Sequence, residues 1–166
     1  LTFGKSGFSN PSFAFNLKFD FLDLFVKMLV GSYDTVRENG LPLIYSGLLT
    51  LMFIPLFYTS PEISGRRKIL SSALLGVMIV SFMLNPVDLA WHGFSMPNWL
   101  NYRYSFLFSF VVIIMAYDAF NSMKSIKFKD IAKSSVAVLL LIFIVQKLNY
   151  TFSQKGKAVE LDDILT

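Results

Sequence analysis

Residues 41–58 read LPLIYSGLLTLMFIPLFY, inside an interval from Asn39 to Pro61 that carries no charge in 23 positions. A helix crossing the hydrocarbon core of a bilayer needs about 20 mostly apolar residues. The stretch has that length and that chemistry. Three further intervals follow it. Ile69–Val87 is uncharged for 19 residues, Tyr104–Tyr117 for 14 and Ser134–Gln146 for 13. The last two are short, but apolar or aromatic flanks lengthen the third, and Lys133 and Lys147 can carry their ammonium heads toward water at the ends of the fourth. The pattern predicts an all-α membrane protein with four transmembrane helices, at about 41–58, 68–85, 102–121 and 128–148.

Composition agrees with that class. Of 166 residues, 54% are hydrophobic, 18 are Phe and only 16% are charged, against about a quarter charged in an ordinary soluble domain. Mean hydropathy is +0.56. A net charge of +4 on such a chain concerns membrane topology and gives no reason to expect a nucleic-acid partner. No cysteine is present, so disulfides and thiolate metal sites are excluded, and one histidine cannot make a multi-histidine metal site. The chain begins at Leu1 with no basic n-region or small-residue cleavage site. Its start reads as an excerpt of a longer protein, and the rest of that parent chain is an expected partner.

Charge placement sets the expected orientation. The connection TSPEISGRRK at 59–68 holds three basic residues, and NSMKSIKFKDIAK at 121–133 holds four, each with one acid. The connection between them holds one basic residue, Arg103. Lys and Arg accumulate on the cytoplasmic side, so 59–68 and 121–133 are expected on the cytoplasmic side of the membrane and loop 86–101 outside. Residues 1–40 form an outer segment on this reading, and 149–166 a polar outer tail or linker. Within the first, NLKFDFLDLFVKML spaces Asn16, Asp20, Asp23 and Lys27 at helical intervals beside rows of Leu and Phe. This predicts an amphipathic helix over 16–30, lying in the interface or packed on other membrane helices. Asp118, near the inner end of the third span, is expected at the interface or paired with Lys124 or Lys127.

The chemistry gathers in one loop. WHGFSMPNWLNYRYS at 91–105 contains both tryptophans, the single histidine and an arginine between two tyrosines. Trp91, Trp99, Tyr102 and Tyr104 suit an aromatic belt at headgroup level, with Arg103 snorkelling. The same set suits a site for an amphipathic ligand. The planar fork of Arg103 matches a lipid phosphate, His92 can exchange a proton near neutral pH, and the aromatic faces can stack on a sugar or prenyl chain. YDTVREN at 33–39, on the same expected side, reads as a solvated connector with a local Asp34–Arg37 pair; the alternative is a sugar or cation contact. No phosphate-binding glycine loop, serine nucleophile elbow or zinc-protease helix motif occurs.

The order GSYDTVRENGLPLIYSGLL followed by NPVDLAWHGFSMPNWLNYRYSFLFSF resembles the YfhO family of bacterial multi-pass membrane proteins over roughly residues 16–120. The resemblance implies a larger GT-C-like helical bundle. It implies a glycosyltransferase that takes a sugar from a polyprenyl-phosphate carrier on the outer face and passes it to a cell-wall polymer, teichoic or lipoteichoic acid. Such enzymes carry a catalytic carboxylate in their first outer loop; this chain starts after that region, so the residue is expected outside it and the fragment alone is expected to be inactive. Here the implied roles are supporting. Arg103 would bind the carrier phosphate, and His92 and Asn98 would hydrogen-bond phosphate or sugar. Trp91, Trp99, Tyr102 and Tyr104 would line the cavity, with Asp34 and Arg37 more peripheral. The lipid-linked sugar is the donor; no protein-bound cofactor is implied, and dependence on a divalent metal stays open. The alternatives are a flippase for a lipid-linked precursor and a non-catalytic assembly subunit.

Overall fold

The computed structural model describes residues 15, 17–30, 40–94 and 101–147. Six α-helices follow in order: α1 Phe21–Lys27, α2 Leu48–Thr59, α3 Gly65–Met83, α4 Asn85–Trp91, α5 Ser105–Asn121 and α6 Phe128–Lys147, with a 3-10 turn at Met123–Ser125. Among the described residues the one β-type pairing is an isolated antiparallel bridge between Leu17 and Leu84, reinforced by the Lys18 amide donating to the Met83 carbonyl at 3.1 Å.

The predicted apolar segments correspond in order to α2, α3, α5 and α6, but their lengths change. Among the described residues no helix is long and apolar enough to cross a membrane. Helix α2 has 12 residues and rises about 18 Å, against a hydrocarbon core of about 30 Å. Residues 41–47, counted as helix from composition, are irregular, and α2 starts behind Gly47 at φ +94° and ψ 143°. That backbone is open to glycine and strained for any residue with a Cβ. Gly47→Ala is therefore expected to destabilise the protein by about 1–3 kcal/mol, read as a lower thermal midpoint in detergent; an unchanged midpoint would refute the strain argument. Helix α5 has 17 residues because 101–104 form a turn. Helix α3 carries Arg66, Arg67 and Lys68 in its first turns, and α6 carries Lys129, Asp130 and Lys133.

The helices form a row. Helix α2 packs on α5 and α6, and α5 packs also on α3, which carries α4. Leu56 and Phe57 of α2 meet Met115 and Ala119 of α5, with Ile63 closing that end. A second cluster joins Leu24 and Val26 of α1, Leu41, Ile44, Met78, Phe82, Tyr102, Tyr104 and Phe108. Leu84, extended at φ −97° and ψ 120°, ends α3, and Pro86 in the first turn of α4 needs no hydrogen-bond acceptor there.

Burial runs against the rule for a protein in water. Phe106, Phe110, Phe120, Leu139 and Phe143 are all at least 60% exposed, while Asp23, Lys27, Asp88 and Ser81 are at most 1% exposed. Large apolar side chains outward and ionisable groups inward suit an apolar surround. The helix predicted over 16–30 follows this logic. Among the described residues of that range only Phe21–Lys27 is helical, because 17–18 pair with 83–84 in extended form. Its polar stripe is split: Asp20 is exposed, while Asp23 and Lys27, four residues apart, are buried. This is the packed arrangement and not the interfacial one.

Polar contacts hold one end of the row together. Lys68 Nζ donates to the carbonyls of Tyr58 at 2.8 Å and Ser60 at 2.7 Å, closing the C-terminus of α2. Ser60 donates to Ser122 at 2.9 Å, and Ser125 donates to Glu62. Asp118 pairs with Arg67 through both oxygens, at 2.9 Å and 2.6 Å, and not with the expected Lys124 or Lys127. The two basic connections thus lie side by side, joined across the ends of α2, α3 and α5.

Candidate functional site

The opposite ends of α3 and α5 meet residues 17–19, α4 and the turn 101–104. The centre of this region is Asp88, a residue the sequence reading passed over. It is the only acid between Glu62 and Asp118, and the structure buries it completely. A buried carboxylate is costly unless charge and hydrogen bonds compensate it. Oxygen Oδ2 makes an ion pair with Lys18. Oxygen Oδ1 accepts from the Tyr104 hydroxyl at 2.7 Å and lies 3.6 Å from Nδ1 of His92. The Tyr104 hydroxyl also faces the Ser81 carbonyl at 2.8 Å, so one phenolic proton serves two acceptors.

Aromatic packing fixes Tyr104. Its ring stacks on Trp91 at 4.8 Å and 14° on one side and on Phe82 at 5.3 Å and 22°. Trp91 is itself tethered, its indole N–H donating to Ser81 Oγ at 3.1 Å, and Ser81 Oγ donates to the Val77 carbonyl at 2.7 Å. Tyr102 meets Phe19 and Phe82 edge-on at 6.1 Å and 5.9 Å, and the Lys18 ammonium lies 5.2 Å from its ring centre. Both tyrosines belong to the turn ahead of α5. Tyr104 acts as a hydrogen-bond donor, and both tyrosines present ring surfaces to Phe82.

Tyr102 adopts φ +57°, a left-handed conformation that is unusual for a bulky residue and persists only where the surrounding packing enforces it. The next residue, Arg103, is exposed between two buried tyrosines. Among the described residues no hydrogen bond or ion pair engages its guanidinium. His92 sits at the C-terminal cap of α4. Its Nδ1 lies 2.9 Å from the Asp88 carbonyl; a carbonyl only accepts, so Nδ1 carries the proton and the neutral ring has its lone pair on Nε2.

The structure therefore brings together five sequence-predicted residues, Trp91, His92, Tyr102, Arg103 and Tyr104, and adds Lys18, Ser81 and Asp88. Asp34, Arg37, Asn98 and Trp99 lie outside the described residues. Trp91 is 45% exposed, whereas Tyr102 and Tyr104 are buried and do not line an open cavity. A signal for Asp88 existed, a lone acid three residues before Trp91 in an apolar setting. Nothing local marked Lys18, 70 residues away. A separate groove of about 430 Å³ along α6 is lined by Val136, Leu139, Leu140, Ile142 and Phe143; it has no side chain able to orient a polar ligand. Among the described residues no group of three or more His, Asp and Glu is placed to share a metal ion.

Neither a curated protein nor a solved structure matches the chain. A family model described as "Bacterial membrane protein YfhO" matches residues 1–161. That span covers nearly the whole chain, including both motifs and every element that builds the Asp88 region, so the chain belongs to the YfhO family of bacterial membrane proteins.

Proposed function

We propose that this chain forms part of a membrane glycosyltransferase of GT-C type, and that Arg103 binds the phosphate of a polyprenyl-phosphate-linked sugar at the outer membrane surface. One observation carries the reading: an exposed guanidinium held between two buried tyrosines by a strained turn. A lipid anchor would need only charge on a flexible stem, whereas a phosphate site benefits from a fixed planar fork. Charge accumulating on the leaving phosphate would be stabilised by that fork without reorganisation. Trp91 supplies an exposed aromatic surface for a sugar or prenyl unit.

The proposed topology has connections 59–68 and 121–133 in the cytoplasm and the Arg103 region outside. The adjacency of the two basic connections, at the far ends of α3 and α5 from Arg103, supports it. The outward-facing Phe and Leu side chains would meet lipid and further helices of a longer parent, and shortened helices are accommodated where neighbouring protein covers their ends. The acceptor in this reading is a cell-wall polymer of teichoic type.

The test uses the full-length protein in membranes with a polyprenyl-phosphate-linked sugar. Arg103→Ala is expected to lower transfer at least about tenfold, the equivalent of about 1.4 kcal/mol, and Arg103→Lys to recover only part of it. Full activity in Arg103→Ala would remove the phosphate role. Carrier movement across the membrane without sugar transfer would assign the protein to the flippase class instead.

A further inference from the structure

Resting on that reading of Arg103, we propose that Asp88 is its positioning residue: one buried carboxylate holds both tyrosines that flank the arginine. Each oxygen has its own task. Oδ1 accepts a hydrogen bond from the Tyr104 hydroxyl at 2.7 Å, which fixes the residue after Arg103. Oδ2 holds Lys18, whose ammonium lies 5.2 Å from the centre of the Tyr102 ring, which fixes the residue before it. Tyr102 needs such restraint, because its φ of +57° relaxes to a commoner conformation unless packing opposes it. Relaxation there would redirect the peptide unit that leads into Arg103.

The arrangement also gives residues 17–19 a function. Leu17 and Lys18 reach α3 and α4 through one bridge, one backbone hydrogen bond and one ion pair. Lys18 keeps a quarter of its side chain exposed, while Asp88 keeps none. The charge is therefore delivered from the surface to a carboxylate that cannot move. Asp88 is buried beneath Trp91 and Tyr104 and cannot meet a ligand, so its influence on binding passes through the turn. Asp88→Asn keeps an acceptor for Tyr104 but faces the Lys18 ammonium with a neutral amide.

The experiment is a double-mutant cycle on the full-length protein in nanodiscs, with binding of a fluorescent polyprenyl phosphate as readout. Arg103→Ala is expected to weaken binding at least about tenfold, and Asp88→Asn about three- to tenfold, as for loss of a charge-assisted contact. The double variant is expected to bind no more weakly than Arg103→Ala alone, since a residue acting through Arg103 has nothing left to position. Tyr104→Phe, which keeps the stacked ring and removes only the hydroxyl, is expected to weaken binding in the wild-type background and to do nothing in the Arg103→Ala background. It carries the test if Asp88→Asn does not fold. Losses that multiply in the double variants would overturn the positioning role and leave Arg103 as the phosphate ligand. Wild-type binding by both Asp88→Asn and Tyr104→Phe would do the same. Wild-type binding by Arg103→Ala would overturn both assignments, and a defect in Asp88→Asn alone would then mark Asp88 as a purely structural residue.

Discussion

Lys18→Met is expected to destabilise the protein by about 3–5 kcal/mol, the cost of leaving a buried charge without its partner. The two members of the pair are not equivalent. Asp88 is fully buried, and Lys18 keeps 25% of its side chain in contact with the surroundings. Removing the lysine strands a carboxylate whose remaining polar neighbours are the Tyr104 hydroxyl, shared with the Ser81 carbonyl, and the His92 ring. Removing the carboxylate frees a lysine that can turn outward. Asp88→Asn alone is therefore expected to cost less than Lys18→Met. The double variant, with no charge to bury, is expected to recover most of what Lys18→Met loses. Thermal or urea unfolding of the four proteins in one detergent reads the order directly. A double variant less stable than Lys18→Met would show that the pair contributes through packing and not through charge compensation.

Phe82→Ala is expected to cost about 3–5 kcal/mol, the range for truncating a buried aromatic residue. Phe82 is fully buried and touches three rings: Tyr104 face to face at 5.3 Å, Tyr102 edge-on at 5.9 Å and Phe108 at 6.0 Å. Well-oriented ring pairs add about 0.5–1.5 kcal/mol each beyond burial. Truncation opens a cavity beneath the turn that carries Arg103, so weaker polyprenyl phosphate binding should accompany the lost stability. Phe106→Ala is the matched control. Phe106 is 64% exposed on the outer side of α5, and its truncation is expected to stay within about 0.5 kcal/mol. Equal losses at 82 and 106 would mean that the cluster around Tyr104 has no special role in holding this end of the molecule.

The comparison of Phe82 with Phe106 shows how the fold was legible. Both lie in apolar runs, and no local pattern distinguishes them, because a segment with apolar residues all round has no face that sequence can orient. The order of the helices was readable, since runs of Leu, Ile and Phe between charges are a local property. Their ends were less so. The left-handed turn at Tyr102 and the glycine backbone at Gly47 stop helices inside stretches whose composition continues unchanged.

The site divides in the same way. Arg103 between two tyrosines, next to Trp91 and His92, stands out in the linear chain. Family membership also rests on linear order, since the matched pattern runs through residues 1–161. Asp88 was visible as a lone acid, but its partner was not: Lys18 is 70 positions away, and Arg67 is 51 positions from Asp118. Charge counts identify which connections are basic, and the structure has 59–68 and 121–133 adjacent at one end. Choosing one partner among 15 basic residues is a different matter. A buried ion pair forms only where packing removes water from both groups at once, and which groups those are is decided when residues 17–19 close onto α3 and α4. The amino-acid order alone determined the helical class, the basic and aromatic ends and the exposed arginine. Tertiary packing decided that Asp23, Lys27 and Asp88 turn inward; for Asp88 only the assembled elements supply the Lys18 charge and the Tyr104 hydroxyl that make its burial possible.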